Sequence, residues 1–273
     1  MIEFACHTWG FNDLTLPEAL GTIARLGFRA VDIGSGPHLN TAKAALDVRR
    51  MAAEISADLR AHHLSLTDVY LMLPHIADPD DTKRRRDIES FKALLPLMRA
   101  LGTRGVTVSP GVRPSDTPDD DPAPFERARE SLREFVSAAG TLPLSIEPHL
   151  DSVTPDVPSA LRMVDAVEGL SITLDWAHFV YQGTKPSDIA RLLPYTRHVQ
   201  VRQATRNKLQ VPFEKGKLDP AAVMQALQDA QYEGAVSIET MKTVGWRGMV
   251  AVNAVREAVL LRDALRAARD NTT

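Results

Sequence analysis

Four segments of the chain end an apolar run on residues that can move a proton or hold a cation. SIEPH carries Glu147 and His149, LDWAHF carries Asp175 and His178, RHVQVRQA carries His198, Gln200 and Arg202, and GAVSIET carries Glu239. A fifth, IEFACHTWG, runs into His7 and Trp9. If these runs are strands that end at one rim, three carboxylates meet in one mouth. They repel one another there, and desolvating even one costs several kcal/mol. A cation must offset them, or some must keep their protons. A divalent ion held by Glu147, Asp175 and Glu239, with Gln200 completing the set through its amide oxygen, is the simplest expectation. Oxygen-rich ligands favour Mn2+ or Mg2+ over zinc, which prefers nitrogen and sulfur.

The elements that must position these residues recur along the chain. Apolar β-type runs occur at IEFAC (2–6), AVDIG (30–34), LSLTDVY (64–70), GVTVS (105–109), PLSIE (143–147), SITLD (171–175), RHVQV (197–201) and AVSIE (235–239). Runs of this kind suit strands covered on both faces of a parallel sheet. Helical spacing fills the gaps: LPEALGTIARLG with Gly27 as a C-cap, PDVPSALRMVDAVEG, and DPAAVMQALQDAQYEG with Asp219 as N-cap before Pro220. Eight such units in 273 residues match a single (β/α)8 barrel spanning 1–273, with a C-terminal helix and tail from about 250 to 273. An open doubly wound sheet is the competitor, but no G-x-G-x-x-G follows any run. The acidic, Pro-rich stretch 113–124 and the segment QATRNKLQVPFEKGKLD read as long loops. In a barrel both rise over the face that holds active sites.

Composition narrows the function. A formal net charge of −3 offers no field for nucleic acid or an anionic membrane surface, so neither is expected as a partner. One cysteine, Cys6, rules out an internal disulfide framework and a thiolate metal cage. The opening residues are neither basic nor followed by a long apolar run, and no stretch approaches the roughly 20 apolar residues that cross a bilayer. A cytoplasmic location is therefore expected.

On strand-like RHVQVRQA, His198, Gln200 and Arg202 share one face because successive side chains alternate. Arg202 suits a carboxylate, phosphate or developing oxyanion, which a guanidinium can grip with two nitrogens. Its competing reading is a salt bridge to one of the acids. Bland readings stand beside the others too. His178 can pack beside Trp176 and Phe179, His149 can be held by its own loop, and His7 can cap the loop after the first run. Trp9 and Phe11 can be core, or can enter a partner's pocket. His62 and His63 precede the third run, at the end away from the site, and His38 and His75 lie in loops without a specific role.

Taken together, IEFACHTWGF, LGFRAVDIG, SIEPH, LDWAHF, RHVQVRQA and GAVSIET resemble the xylose isomerase-like (β/α)8 barrels, the sugar phosphate isomerase/epimerase group that also includes endonuclease IV. The resemblance covers essentially the whole chain. Its members hold a divalent metal on a Glu, an Asp, a His and a Glu from strands five to eight, and the matching positions are Glu147, Asp175, Gln200 and Glu239. Where members usually read H-x-H-x-K-D, this chain reads His198-Val199-Gln200-Val201-Arg202-Gln203, so an amide replaces the second imidazole. His198 lies one pleat deeper, as a supporting or substitute group.

What the resemblance implies is a metal-dependent isomerase or epimerase of a sugar or sugar acid, working through a metal-stabilised enediolate. Glu147 and Glu239 would be ligands and acid/base groups, with His178 catalytic beside them. His7, Trp9, His149, His198 and Arg202 would contact substrate. Phe11, His38 and the LMLPH stretch would help shape the pocket. Lyases of the same group, by dehydration, β-elimination, decarboxylation or C-glycoside cleavage, are the alternative. A non-catalytic sugar-binding or partner subunit is the third reading. Many relatives self-associate, so a homo-oligomer or a hetero-subunit partner is also in view. A DNA-repair enzyme is disfavoured because the chain lacks a basic face.

Overall fold

Each apolar run forms a strand within one residue of its expected ends in the computed structural model, which describes residues 2–118 and 120–271. The strands are β1 (Glu3–His7), β2 (Ala30–Gly34), β3 (Ser65–Leu71), β4 (Val106–Val108), β5 (Leu144–Ile146), β6 (Leu170–Asp175), β7 (Thr196–Val201) and β8 (Ala235–Ile238). They pair in parallel in chain order, and β8 closes onto β1. Closure removes both edges and excludes the doubly wound alternative. All eight C-terminal ends therefore surround one mouth.

Helices pack against the outer faces, and their starts are written in the sequence. Leu16–Arg25 begins at Thr15, whose backbone N–H and hydroxyl donate to Glu18 Oε2 at 2.9 and 2.7 Å. It ends at Leu26, so Gly27 follows the cap, with a φ of 87° that favours glycine. Asp156 and Asp219 cap Val157–Ala166 and Pro220–Asp229, accepting the Ser159 and Ala221 N–H groups, each at 2.9 Å. Part of the expected loop 113–124 is instead helix Ala123–Ala139, because proline at the first turn costs no hydrogen bond. The C-terminal helix is Ala254–Asn271; Thr272 and Thr273 of the expected tail lie outside the described residues, as does Asp119 of the loop. Among the described residues, no helix is long and apolar enough to cross a membrane.

The barrel interior below the mouth is polar, and two register shifts make it so. Between β6 and β7, Ile172 pairs with Thr196 but Thr173 with His198, which leaves Arg197 as an extra residue. A bulge of this kind re-aims the side chain it inserts. Arg197 turns inward and donates to Asp68 Oδ1 at 2.6 Å and Ser145 Oγ at 2.7 Å. Thr107 donates to the other Asp68 oxygen at 2.6 Å, and Thr173 links Thr107 and Ser145 at 2.7 Å each. Gly105 makes the space, since a Cβ there would strike the guanidinium. The second shift, between β2 and β3, leaves Thr67 extra, and its hydroxyl donates to Asp32.

Removing one partner of a buried ion pair strands the other, at a cost of roughly 3–5 kcal/mol. Arg197→Met should therefore lower unfolding stability by about 3 kcal/mol in urea titration, and adding Asp68→Asn should restore part of it. Wild-type stability for Arg197→Met would remove this network from the account of the fold.

Candidate active site

Backbone geometry delivers the acids to the mouth. Asp175 is the last residue of β6 and the N-cap of Trp176–Gln182, its Oδ1 accepting the Ala177 N–H at 2.9 Å. Glu147 and Glu239 each follow the last residue of their strands, β5 and β8. Arg202 follows β7 in the same way and is 2% exposed. Its Nη2 lies 2.6 Å from Asp175 Oδ2 and its Nη1 2.8 Å from Glu239 Oε1. Of the two readings of Arg202, the structure therefore contains the salt bridge, made to two acids at once.

Tyr70, the sixth residue of β3, completes the acidic group. Its hydroxyl donates to Glu147 Oε2 at 2.7 Å, while Glu147 Oε1 lies 3.7 Å from His178 Nε2. The backbone N–H of Leu150 donates to His178 Nδ1 at 3.2 Å, and Arg202 Nη2 lies 3.2 Å from His178 Nε2, so main chain and guanidinium grip the ring from both sides. Nε2 also lies 3.4 Å from Asp175 Oδ2. His149 is fixed in the opposite sense. Its Nδ1 donates to the Leu150 carbonyl at 2.6 Å, leaving Nε2 to accept from the Ser109 hydroxyl at 3.0 Å.

Burial sets the protonation of the group. It pushes Glu147 well above the usual carboxylate range, and the neighbouring Glu239 and Asp175 charges push it further. Glu239 is raised by burial and pulled back by Arg202, ending at about 7. Asp175 is also raised by burial, with Arg202 opposing. Burial takes the imidazoles the other way: His178 falls well below its ordinary value, His149 to about 4 and His7 to about 3. All three histidines are therefore neutral near pH 7.

A cavity of about 290 Å³ opens onto this group. Trp9, Tyr70 and Trp246 supply aromatic wall, and Glu147, His149, His178, Arg202 and Glu239 supply polar atoms. Trp9 is held by its indole N–H, which donates to the Ser35 carbonyl at 3.1 Å, and His7 Nδ1 accepts the Trp9 backbone N–H at 3.1 Å. His7 itself is fully buried behind Trp9 and does not line the cavity, contrary to the expectation that it contacts substrate. His198, read as one pleat deeper, lies at that depth and likewise does not line the cavity. Its Nε2 lies 2.8 Å from Asp32 Oδ2, a pleat below the mouth and 1% exposed. Tyr70 and Trp246 escaped the sequence reading, one inside an apolar run and the other in the loop after β8.

Of the four positions expected to hold Mn2+ or Mg2+, Arg202 engages two. Glu147, Asp175 and His178 do place three ligand atoms within 4.8 Å of one another, close enough to hold an ion. However, Asp175 Oδ2 and Glu239 Oε1 are ion-paired to Arg202, and Asp175 Oδ1 accepts the Ala177 N–H, while Glu239 Oε2 is buried with no hydrogen-bond partner among the described residues. Gln200 pairs across β6 and β7 with Asp175, and both its amide oxygen and its amide nitrogen lack a partner among the described residues. A cation would satisfy only the oxygen. A donor and acceptor left together instead suit a neutral hydroxyl or water.

The raised Glu239 gives a signed pH dependence. Its protonated form is the favoured buried one, so its contribution is fully present below its ordinary value of 4.5 and is lost as pH rises through about 7. The loss is about 3 kcal/mol by linkage. Glu239→Gln should flatten the fall in urea-unfolding stability between about pH 5 and about pH 8. An unchanged slope would show that Glu239 does not titrate in this range.

The family model of xylose isomerase-like TIM barrels matches residues 20–266. Among solved structures, L-ribulose 3-epimerase superposes with a TM-score of 0.80 at 19% identity, covering 100% of this chain and 97% of that one. D-Psicose 3-epimerase from Clostridium cellulolyticum H10, solved with D-tagatose, gives 0.76 at 17% identity over 98% and 99%. The probable 3-DHS dehydratase AsbF from Bacillus anthracis gives 0.74 at 17% identity over 97% and 99%. At these identities the likeness establishes the fold. No curated protein sequence matches the chain significantly. With a family match across most of its length and a closed eight-stranded parallel barrel to carry it, the chain belongs to the xylose isomerase-like TIM barrels.

Proposed function

We propose that the protein is an isomerase or epimerase of a ketose or a related sugar acid, moving a proton on the carbon beside the carbonyl. The observation that carries this reading is the pair Glu147 and Glu239, two buried carboxyls on one cavity whose environments hold them at different protonation states. Separating the pKa values of two carboxyls gives an acid and a base at the same pH. Glu239, titrating near 7, takes the proton from carbon as a carboxylate. The electron pair of that C–H bond moves onto the carbonyl oxygen and leaves an enediolate. Glu147, still protonated, returns a proton to carbon: to the opposite face of the same carbon for epimerisation, or to the former carbonyl carbon for isomerisation, where the neighbouring hydroxyl also passes its proton to the enediolate oxygen as it becomes the new carbonyl. Tyr70 fixes the Glu147 carboxyl through the 2.7 Å hydrogen bond, and His178, neutral and on the cavity wall, offers a polar contact to a substrate hydroxyl. Trp9 and Trp246 give a sugar ring or chain apolar faces to lie against.

The fold's likeness to L-ribulose and D-psicose 3-epimerases supports a ketose as the substrate class. A lyase is the second reading, favoured by the likeness to a probable dehydratase, because the same enediolate can expel a hydroxyl when Glu147 protonates it.

Deuterium uptake from heavy water into a panel of keto-sugars and sugar acids, followed by NMR, tests the reading. Exchange at the carbon beside the carbonyl is expected, and its rate should rise with pH through about 7 as Glu239 ionises. Glu147→Gln and Glu239→Gln should each slow it by roughly 10²–10⁴-fold without loss of folding, the second also removing the limb near neutrality. Exchange accompanied by loss of water identifies the lyase. Full exchange in both variants contradicts the assigned site, and no exchange with any substrate of the panel favours a binding protein.

A further inference from the structure

We propose that the Arg202 guanidinium takes the place of a divalent ion in this site: it is the fixed cation that holds Asp175 and Glu239 and stabilises the enediolate, and the protein works without a metal. This inference rests on the proton-transfer reading for the enediolate, but its exclusion of metal stands on geometry alone.

Arg202 meets Asp175 Oδ2 at 2.6 Å and Glu239 Oε1 at 2.8 Å, and is 2% exposed. Its charge is permanent, since a guanidinium does not lose its proton in a protein. An ion such as Mg2+ binds oxygen at about 2.1 Å, so one coordinated to Asp175 Oδ2 would lie at most about 5 Å from Arg202 Nη2. Two cations that close repel one another, and among buried side chains that repulsion is weakly screened. The neighbouring strand position strengthens the exclusion. Gln200 presents an amide whose oxygen and nitrogen are both without partners, and it offers no imidazole to compete for a transition ion.

Arg202 is also placed to act on substrate. It lines the cavity, and its Nε–H has no partner among the described residues. Nη2 is engaged by Asp175 and lies 3.2 Å from His178 Nε2, and Nη1 faces Glu239, so Nε–H is a donor free to meet the carbonyl oxygen. Charge building on that oxygen is met by a hydrogen bond from a cation fixed before the reaction begins, with little reorganisation.

The test is a Mn2+ titration of chelator-treated protein, reading free Mn2+ by electron paramagnetic resonance, in parallel with deuterium uptake. Wild type should bind no stoichiometric Mn2+, and its exchange rate should be the same after chelation and after adding Mn2+ or Mg2+. Arg202→Ala, and Arg202→Ala combined with Gln200→His, should gain a Mn2+ site at least about tenfold tighter than any in wild type, while losing exchange in metal-free buffer. One equivalent of Mn2+ or Mg2+ on wild type, or exchange abolished by chelation and restored by the ion, overturns the proposal and leaves the epimerase reading intact. Absence of a new site in both folded variants also overturns it, because something other than the guanidinium then keeps the ion out. If the variants do not fold, the wild-type titration decides alone. Wild type that binds no Mn2+ and exchanges no substrate supports the exclusion of metal and rejects the function.

Discussion

Three carboxyl groups converge on a mouth that water barely reaches, and they cannot all be ionised there without a cation between them. Arg202 is that cation in this structure, within 2.8 Å of two of them. Its position orders the rest of the site. Asp175 is held by the guanidinium on one oxygen and by its helix N-terminus on the other. Glu147, which makes no ion pair with the guanidinium, leans on the Tyr70 hydroxyl and keeps its proton. Burial and the nearby positive charge keep His178 neutral, so it adds no second cation beside Arg202.

The same constraint is met once more below the mouth. Asp32 pairs with His198 and Asp68 with Arg197, each acid and base brought together from different strands. Burial pushes the Asp32 carboxyl up, but the charge and hydrogen bond of His198 outweigh it and hold it down. A parallel barrel is usually filled by layers of branched apolar side chains. Here paired charges and hydroxyls fill part of that space. The arrangement ties β2, β3, β4, β5 and β7 together across the interior, directly beneath the groups that face the cavity.

Much of this was legible in the sequence because strand ends are periodic and short-range. Apolar runs gave the eight strands to within one residue, and their ends placed Glu147, Asp175, Arg202 and Glu239 around one mouth. What alternation cannot reveal is which partner a side chain meets. Arg202 as anion clamp and Arg202 as salt bridge share one sequence, and only distances separate them. Arg197 should point outward by its parity with Val199, and the bulge at that point turns it inward. His198 has the expected face and depth, but its partner, Asp32, comes from a distant strand. Asp32 and Asp68 did carry a signal, an acid within a buried run, whereas Tyr70 read as an ordinary core aromatic. Trp246 sits in a loop whose path follows from tertiary contacts, including the Arg247 to Asp151 ion pair.

The central claim concerns what lies between Asp175 and Glu239, and diffraction can see it directly. Crystals grown with excess Mn2+ and measured for the anomalous signal of manganese should show no peak bridging these two carboxyls, with the Arg202 guanidinium in contact with both. A manganese peak bridging those carboxyls, with Arg202 swung aside, would contradict the account.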